Sequence, residues 1–310
     1  MLTSDEKLSG KFVLQRSLHL SRRGLPKTLW LVLFFGLSCS FALSGDVMAQ
    51  TPTLVVVAYV FPQNNLIQPG EIAGQKLTRI NYAFANLQGG RIVNGFAADE
   101  RNIASLVALK QENPSLTVLV SVGGWLWSGN FSDMAFTKRG RRRFIESVVE
   151  FVDHNKLDGL DIDWEYPGQV GAGNRFRRED KQDYTLLLKE LRARFNHEEK
   201  RVHHRLYITI ATGASPAFLA HTEMDKVQKY VDTVNLMAYD YYEPASDSVT
   251  GHHAPLFTNP NDPKKISADR SVQEYEQARH GCSQLRYRQA RHSPRLKHFF
   301  LQGAWGFLGY

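Results

Sequence analysis

From residue 54 onward, apolar runs of strand length alternate with segments whose apolar residues return every three or four positions. The runs cover 54–60, 77–87, 116–122, 159–166, 206–212 and 231–239 and predict six strands. Between them, Ile103, Leu106 and Val107 mark one helix face, Phe144, Val148, Phe151 and Val152 a second, and Tyr184, Leu187, Leu188 and Leu191 a third. Asn113-Pro114 stops the first helix, because proline has no N–H to continue the ladder. Arg178-Glu179-Asp180 sets acids at the start of the third, where the helix dipole favours them. Alternating strand and helix give an α/β fold with a parallel sheet. Six β/α units fit either an open doubly wound sheet or an incomplete eight-stranded barrel, and spacing does not choose between them. After the first strand stands Val60-Phe61-Pro62-Gln63-Asn64 in place of a Gly-x-Gly-x-x-Gly turn, which weakens the dinucleotide-binding form.

Upstream of residue 54 the pattern changes. Arg22, Arg23 and Lys27 precede an apolar run at 29–37, too short for the roughly 20 residues of a membrane span. With Val47-Met48-Ala49 as cleavage triplet, residues 1–49 are expected to be a secretory signal, exporting the chain to the periplasm or the extracellular space. An uncleaved anchor is the alternative. Cleavage would leave Cys282 as the single cysteine and exclude an intrachain disulfide, and no stable membrane partner is expected after it.

The composition, 43% hydrophobic and 22% charged, is that of an ordinary globular chain, and its net charge of +7 sits at the ends. Residues 1–49 hold six Lys/Arg against three acids and residues 279–310 six against none, which leaves 50–278 at about −2. A nucleic-acid partner is therefore not expected. Lys138-Arg139-Gly140-Arg141-Arg142-Arg143 reads as a solvated helix start. His203-His204 and His252-His253 lack a cysteine or carboxylate at ligand spacing, so no metal site and no cofactor is expected.

The chemistry concentrates in Asp158-Gly-Leu-Asp-Ile-Asp-Trp-Glu165. Strand side chains alternate, so Asp161, Asp163 and Glu165 share one face and Leu160, Ile162 and Trp164 the other. In a barrel the apolar set meets the helices and the acids line the interior. Like charges crowded in a partly dry site raise the pKa of at least one carboxyl, and a carboxylic acid that keeps its proton can protonate a leaving-group oxygen. Glu165, at the C-terminal strand end where barrel active sites open, is the candidate. A Mg²⁺ or Ca²⁺ site, or buried structural acids, would use the same residues, and spacing alone leaves these alternatives level. Asp158 has the opposite parity and is expected to be structural.

The Asp158–Glu165 segment resembles the DxxDxDxE signature of glycoside hydrolase family 18, the chitinases. Ser121-Val122-Gly123-Gly124 looks like that family's SxGG motif on the third strand, and Met237-Ala238-Tyr239-Asp240 like its MxYD motif on the sixth. The resemblance covers about 54–278, with Tyr82-Ala83-Phe84 and Trp125-Leu126-Trp127 inside it. It implies a TIM (β/α)8-type barrel and hydrolysis of chitin or chitooligosaccharides, polymers of β-1,4-linked N-acetylglucosamine. The implied mechanism is retaining and substrate-assisted, with the acetamido oxygen of the sugar as nucleophile. Carried over by motif, Glu165 is general acid and then base, Asp163 orients the acetamide and stabilises its charge, Asp161 shares a proton with Asp163, and Tyr239 donates to the acetamido oxygen. Ser121 would bond the acid pair, and Gly123 and Gly124 would allow close backbone approach. Tyr59, Phe84, Trp125 and Trp127 are candidates for stacking on sugar rings. Met237 and Asp240 complete the expected substrate contacts, although Asp240 reaches the pocket only if the strand breaks there.

Only about six of the eight units are legible. Residues 279–310, basic and without a run like the family's seventh strand, are expected to be foreign to it, as from a shifted reading frame. The expected organisation is a signal at 1–49, a partial catalytic barrel at 50–278 and a basic tail at 279–310. An endo-β-N-acetylglucosaminidase, a sugar-binding lectin on the same scaffold and an inactive fragment remain as alternatives.

Overall fold

The computed structural model describes residues 55–243 and 246–278, and the backbone of 299–302. The expected signal at 1–49, both cysteines and the remainder of the tail lie outside the described residues.

All six expected strands form: β1 (Val57–Val60), β2 (Arg79–Gln88), β4 (Thr117–Gly123), β5 (Gly159–Asp163), β6 (Tyr207–Gly213) and β7 (Thr233–Met237). A short β3 (Arg91–Val93) folds back antiparallel on the end of β2. The tail, in which no seventh strand is legible, contributes β8 (Phe299–Gln302), parallel to β7 with Val234 opposite Phe299. That addition corrects the count to seven parallel strands, in the order β1-β2-β4-β5-β6-β7-β8. Each strand lies beside its predecessor in the chain, apart from the β3 spur. A doubly wound sheet would reverse its order at a switch point; this one turns in one direction throughout, as a barrel wall does.

The helices are α1 (Asp99–Ala108), α2 (Phe131–Ala135), α3 (Lys138–His154), α4 (Asp180–Val202), α5 (Pro216–Ala220), α6 (Met224–Val227) and α7 (Ala268–Ala278). Among the described residues, no helix is long and apolar enough to cross a membrane. α3 starts where Thr137 caps it, its hydroxyl accepting from Gly140 N at 3.0 Å. The basic run at this start is solvated except for Arg141, which is buried and donates to Ala135 O and to both carboxylate oxygens of Glu190. α4 carries Asp180 and Asp183 in its first turn, as its dipole favours.

The alternation along the strands sorts the side chains. Ile80, Val118, Val120, Leu160, Ile162, Ile208, Ile210 and Val234 face outward and are fully buried against Leu106, Phe144, Val148, Leu187, Leu191 and Phe195 of the helices. Each such side chain contributes about 1.5–3 kcal/mol by leaving water. Trp164 belongs to this layer, stacked on Phe131 with ring centroids 5.2 Å apart. The opposite parity is polar: Arg79, Asn81, Ser121, Asp161, Asp163, Thr209, Thr233 and Asn235 are all buried. On that face Arg79 lies at the N-terminal ends of the strands, its Nη1 donating to Thr233 Oγ1 at 2.7 Å and its guanidinium lying over the Tyr207 ring. Asp158 is also at this end, where Oδ2 accepts from Val118 N at 2.7 Å and lies 2.5 Å from Lys110 Nζ, away from the three acids. Its structural expectation fits that position.

Candidate active site

Strand register places the acids. Ser121 pairs with Asp161, Gly123 with Asp163, and Asp161 with Thr209 across β4, β5 and β6. Asp161 is surrounded by donors: Tyr59 Oη at 3.0 Å and Ser121 Oγ at 2.7 Å reach Oδ2, while Thr209 Oγ1 and Asn235 Nδ2, the latter at 3.2 Å, reach Oδ1. Asn235 Nδ2 also lies 2.8 Å from Tyr59 Oη. Burial pushes the Asp161 carboxyl up, and the bonds from Thr209, Ser121 and Tyr59 pull it back. Tyr59, expected as a stacking ring, enters the site through its hydroxyl.

Asp163 has no comparable support. Among the described residues its Oδ1 is buried without a hydrogen-bond partner. Burial, then the charges of Glu165 and Asp161, hold its pKa well above the ordinary carboxylate range. Glu165, 8% exposed, is pushed up to about 7, mainly by burial and further by the charge of Asp240, with Tyr166 acting the other way. A carboxyl that ionises near neutrality can both give and take a proton at working pH. The row is thus graded: Asp161 has four donors around its oxygens, Asp163 keeps one unpaired oxygen, and Glu165 is poised to exchange a proton.

The glycines of the third-strand motif have a visible cause. A Cβ on Gly123, whose φ is +110°, would stand 2.2 Å from Asp163 O, so β4 and β5 could not approach as they do. Gly124, φ +74°, donates its N–H to Asp163 O at 2.8 Å, and its own Cβ would press on the Phe84 ring. Phe84 packs edge-on to Phe61, centroids 5.4 Å apart, and Trp127 leans on Phe96 at 5.0 Å. Trp125 is 50% exposed and meets Tyr166 at 6.4 Å, which leaves it the most accessible ring of the aromatic set.

β7 ends at Met237, which is half-buried, and Tyr239 follows it in the loop. Asp240 adopts φ +56°, so the strand break that its role required is present. It pairs with His253 Nε2 at 3.1 Å. Thr209, Asn235, Ser128, Tyr166 and Asn174 were not singled out from sequence. The first two have inward parity on their strands, a signal that strand alternation offered. Ser128 opens a single 3-10 turn (Ser128–Asn130) and the other two lie in loops, where no periodicity identifies them.

A family model described as "Glycosyl hydrolases family 18" matches residues 55–286. The chain belongs to glycoside hydrolase family 18. Its match with "Chitinase A1" of Niallia circulans is 44% identical over 160 residues, 51% of this chain and 23% of that protein. With "Chitotriosidase-1" of Mus musculus it is 33% identical over 192 residues, 61% and 40% of the two chains. Among solved structures, a family 18 N-acetylglucosaminidase from Paenibacillus barengoltzii superposes with a TM-score of 0.66 at 40% identity, over 72% of this chain and 64% of that one. Chitinase ChiA74 from Bacillus thuringiensis gives 0.68 at 30% identity, over 72% and 46%. In each case this family 18 chain spans less than two thirds of its relative's length.

Proposed function

We propose that the chain hydrolyses β-1,4-linked N-acetylglucosamine chains, chitin or its oligomers, with retention of configuration and with the substrate's acetamido oxygen as nucleophile. The observation that carries this reading is the buried Glu165 carboxyl, ionising at about 7 beside an Asp163 with an unpaired buried oxygen. Protonated Glu165 gives its proton to the glycosidic oxygen as the bond to the anomeric carbon breaks and the acetamido oxygen closes on that carbon. Asp163 Oδ1 accepts the acetamide N–H, and with the proton of the pair passed to Asp161 its negative charge stabilises the positive charge that spreads over the closing ring. Tyr239 donates its hydroxyl to the acetamido oxygen and aligns it. Asp161 acts on Asp163 through its charge and through the proton the pair holds. Glu165, now ionised, then takes a proton from the water that opens the oxazolinium, which restores the acid and the configuration.

Trp125, Trp127 and Phe84 supply apolar surface for the sugar rings, and Met237 and Asp240 complete the substrate contacts. Export by the segment at 1–49 is part of the proposal, since an insoluble polymer is met outside the cell; a mature N-terminus at Gln50 by mass spectrometry supports it, and retention of 29–37 refutes it. Turnover of a chromogenic chitobioside that disappears in Glu165→Gln tests the reaction. Release from a high-mannose glycopeptide instead would move the substrate to glycoprotein glycans. No turnover by folded protein would refute the enzymatic reading of this chain.

A further inference from the structure

We infer that Ser128 and Asn174 form a two-sided clamp on the main chain of Glu165 and act as positioning residues for the acid. The inference rests on the reading of Glu165 as the acid. β5 ends at Asp163, and its pairing with β4 stops at Gly123–Asp163, so no strand ladder holds the peptide groups of Glu165. Buried backbone groups need partners from elsewhere. The Glu165 N–H donates to Ser128 Oγ at 2.9 Å, and the Glu165 carbonyl accepts from Asn174 Nδ2 at 3.0 Å.

Ser128 is fully buried, and its hydroxyl lies 2.8 Å from Gly124 O and 3.0 Å from Asp163 O. One hydroxyl has one proton to give and two lone pairs, so this oxygen accepts from Glu165 and donates to the end of β4 or of β5. It ties the acid to Gly124, just past β4, or to Asp163, the last residue of β5. Asn174 holds the other side from the loop that leads to α4. The 3-10 turn and this loop meet closely: a Cβ on Gly129 would come within 3.1 Å of Asn174 Oδ1, and one on Gly171 within 2.2 Å of Glu165 O. The clamp keeps the Glu165 side chain out of water and beside Asp163. Without it the carboxyl gains solvent and swings, and burial is the main reason its proton is held to neutral pH.

The test uses the full chain with Ser128→Ala, Ser128→Thr and Asn174→Ala, and near-UV circular dichroism to establish that each is folded. On the chromogenic chitobioside, Ser128→Ala should lower kcat about 10- to 100-fold, as small misplacements of catalytic groups do, with KM within about twofold. The alkaline limb of its pH–rate profile should move down by about half a pH unit or more as burial is lost. Threonine keeps the hydroxyl and should recover most of kcat. A folded Ser128→Ala with kcat within about twofold of the parent, or an unchanged alkaline limb, overturns the inference, as does threonine rescuing no better than alanine. Should Ser128→Ala fail to fold, Asn174→Ala, in a half-exposed loop, carries the same criteria on kcat and on the limb. If the parent chain itself shows no turnover, the proposed reaction fails on its own. The clamp is then read from Glu165 by carboxyl-carbon NMR titration: a lower pKa in the variant supports it, and an unchanged one overturns it.

Discussion

Replacing Glu165 by glutamine should abolish turnover and yet stabilise the protein, and the stabilisation should grow with pH. The carboxyl ionises at about 7 in the folded chain and at 4.5 as a free glutamate. The folded state therefore binds more protons than the unfolded state between these values, and stability falls as pH rises through that window. The stability tied to the bound proton is whole below about pH 4.5 and gone once pH has passed about 7. At ~1.4 kcal/mol per pH unit, the gap amounts to about 3–4 kcal/mol. Glutamine fills the same space without a charge and escapes that penalty. Relative to the parent, Glu165→Gln should gain little at pH 4.5 and about 3–4 kcal/mol at pH 8, or roughly 6–16 °C in Tm for a domain of this size. Thermal unfolding of both proteins by circular dichroism at pH 4.5, 6 and 8 reads the difference. Any offset common to all three values reflects packing and cancels. A Tm difference that does not change with pH, or that favours the parent more strongly at pH 8, would refute the reasoning. Above that window the parent's turnover should fall about tenfold per pH unit, as the acid form disappears.

Three further outcomes follow from the geometry. Asp161→Ala leaves the Tyr59, Ser121, Thr209 and Asn235 donors around an empty space and should cost about 3–5 kcal/mol in urea unfolding; a loss under ~1 kcal/mol would mean that water or rearrangement satisfies them. Gly123→Ala sets a methyl 2.2 Å from Asp163 O at a positive φ, so it should destabilise by about 2–4 kcal/mol and lower kcat as β4 moves off β5. Asp240→Asn removes a negative charge that raises the Glu165 pKa, so the alkaline limb of the rate profile should move to lower pH, less so at high salt; an upward move would contradict the assignment.

The sequence by itself determined the six strands, their helices and the face on which Asp161, Asp163 and Glu165 stand. Those features follow from local spacing, because strand alternation and helical period are set by the backbone of each element alone. Three motifs at their strand ends also located the family. What the sequence left open was whether the sheet turns back on itself, since an isolated β/α unit has the same pattern in either topology. Strand order decided that, and pairing across β7 brought in a seventh strand from a tail whose composition hid it. Interstrand register decided that Thr209 and Asn235 meet Asp161, residues 48 and 74 positions away. The broken end of β7 left Asp240 where its charge reaches the acid that parity had denied it. A single 3-10 turn and a loop, neither with a periodic signal, supplied the partners of the Glu165 main chain. The pKa near 7 belongs to that assembly too: a carboxyl's charge is penalised by what is packed around it, and burial is its largest cause here.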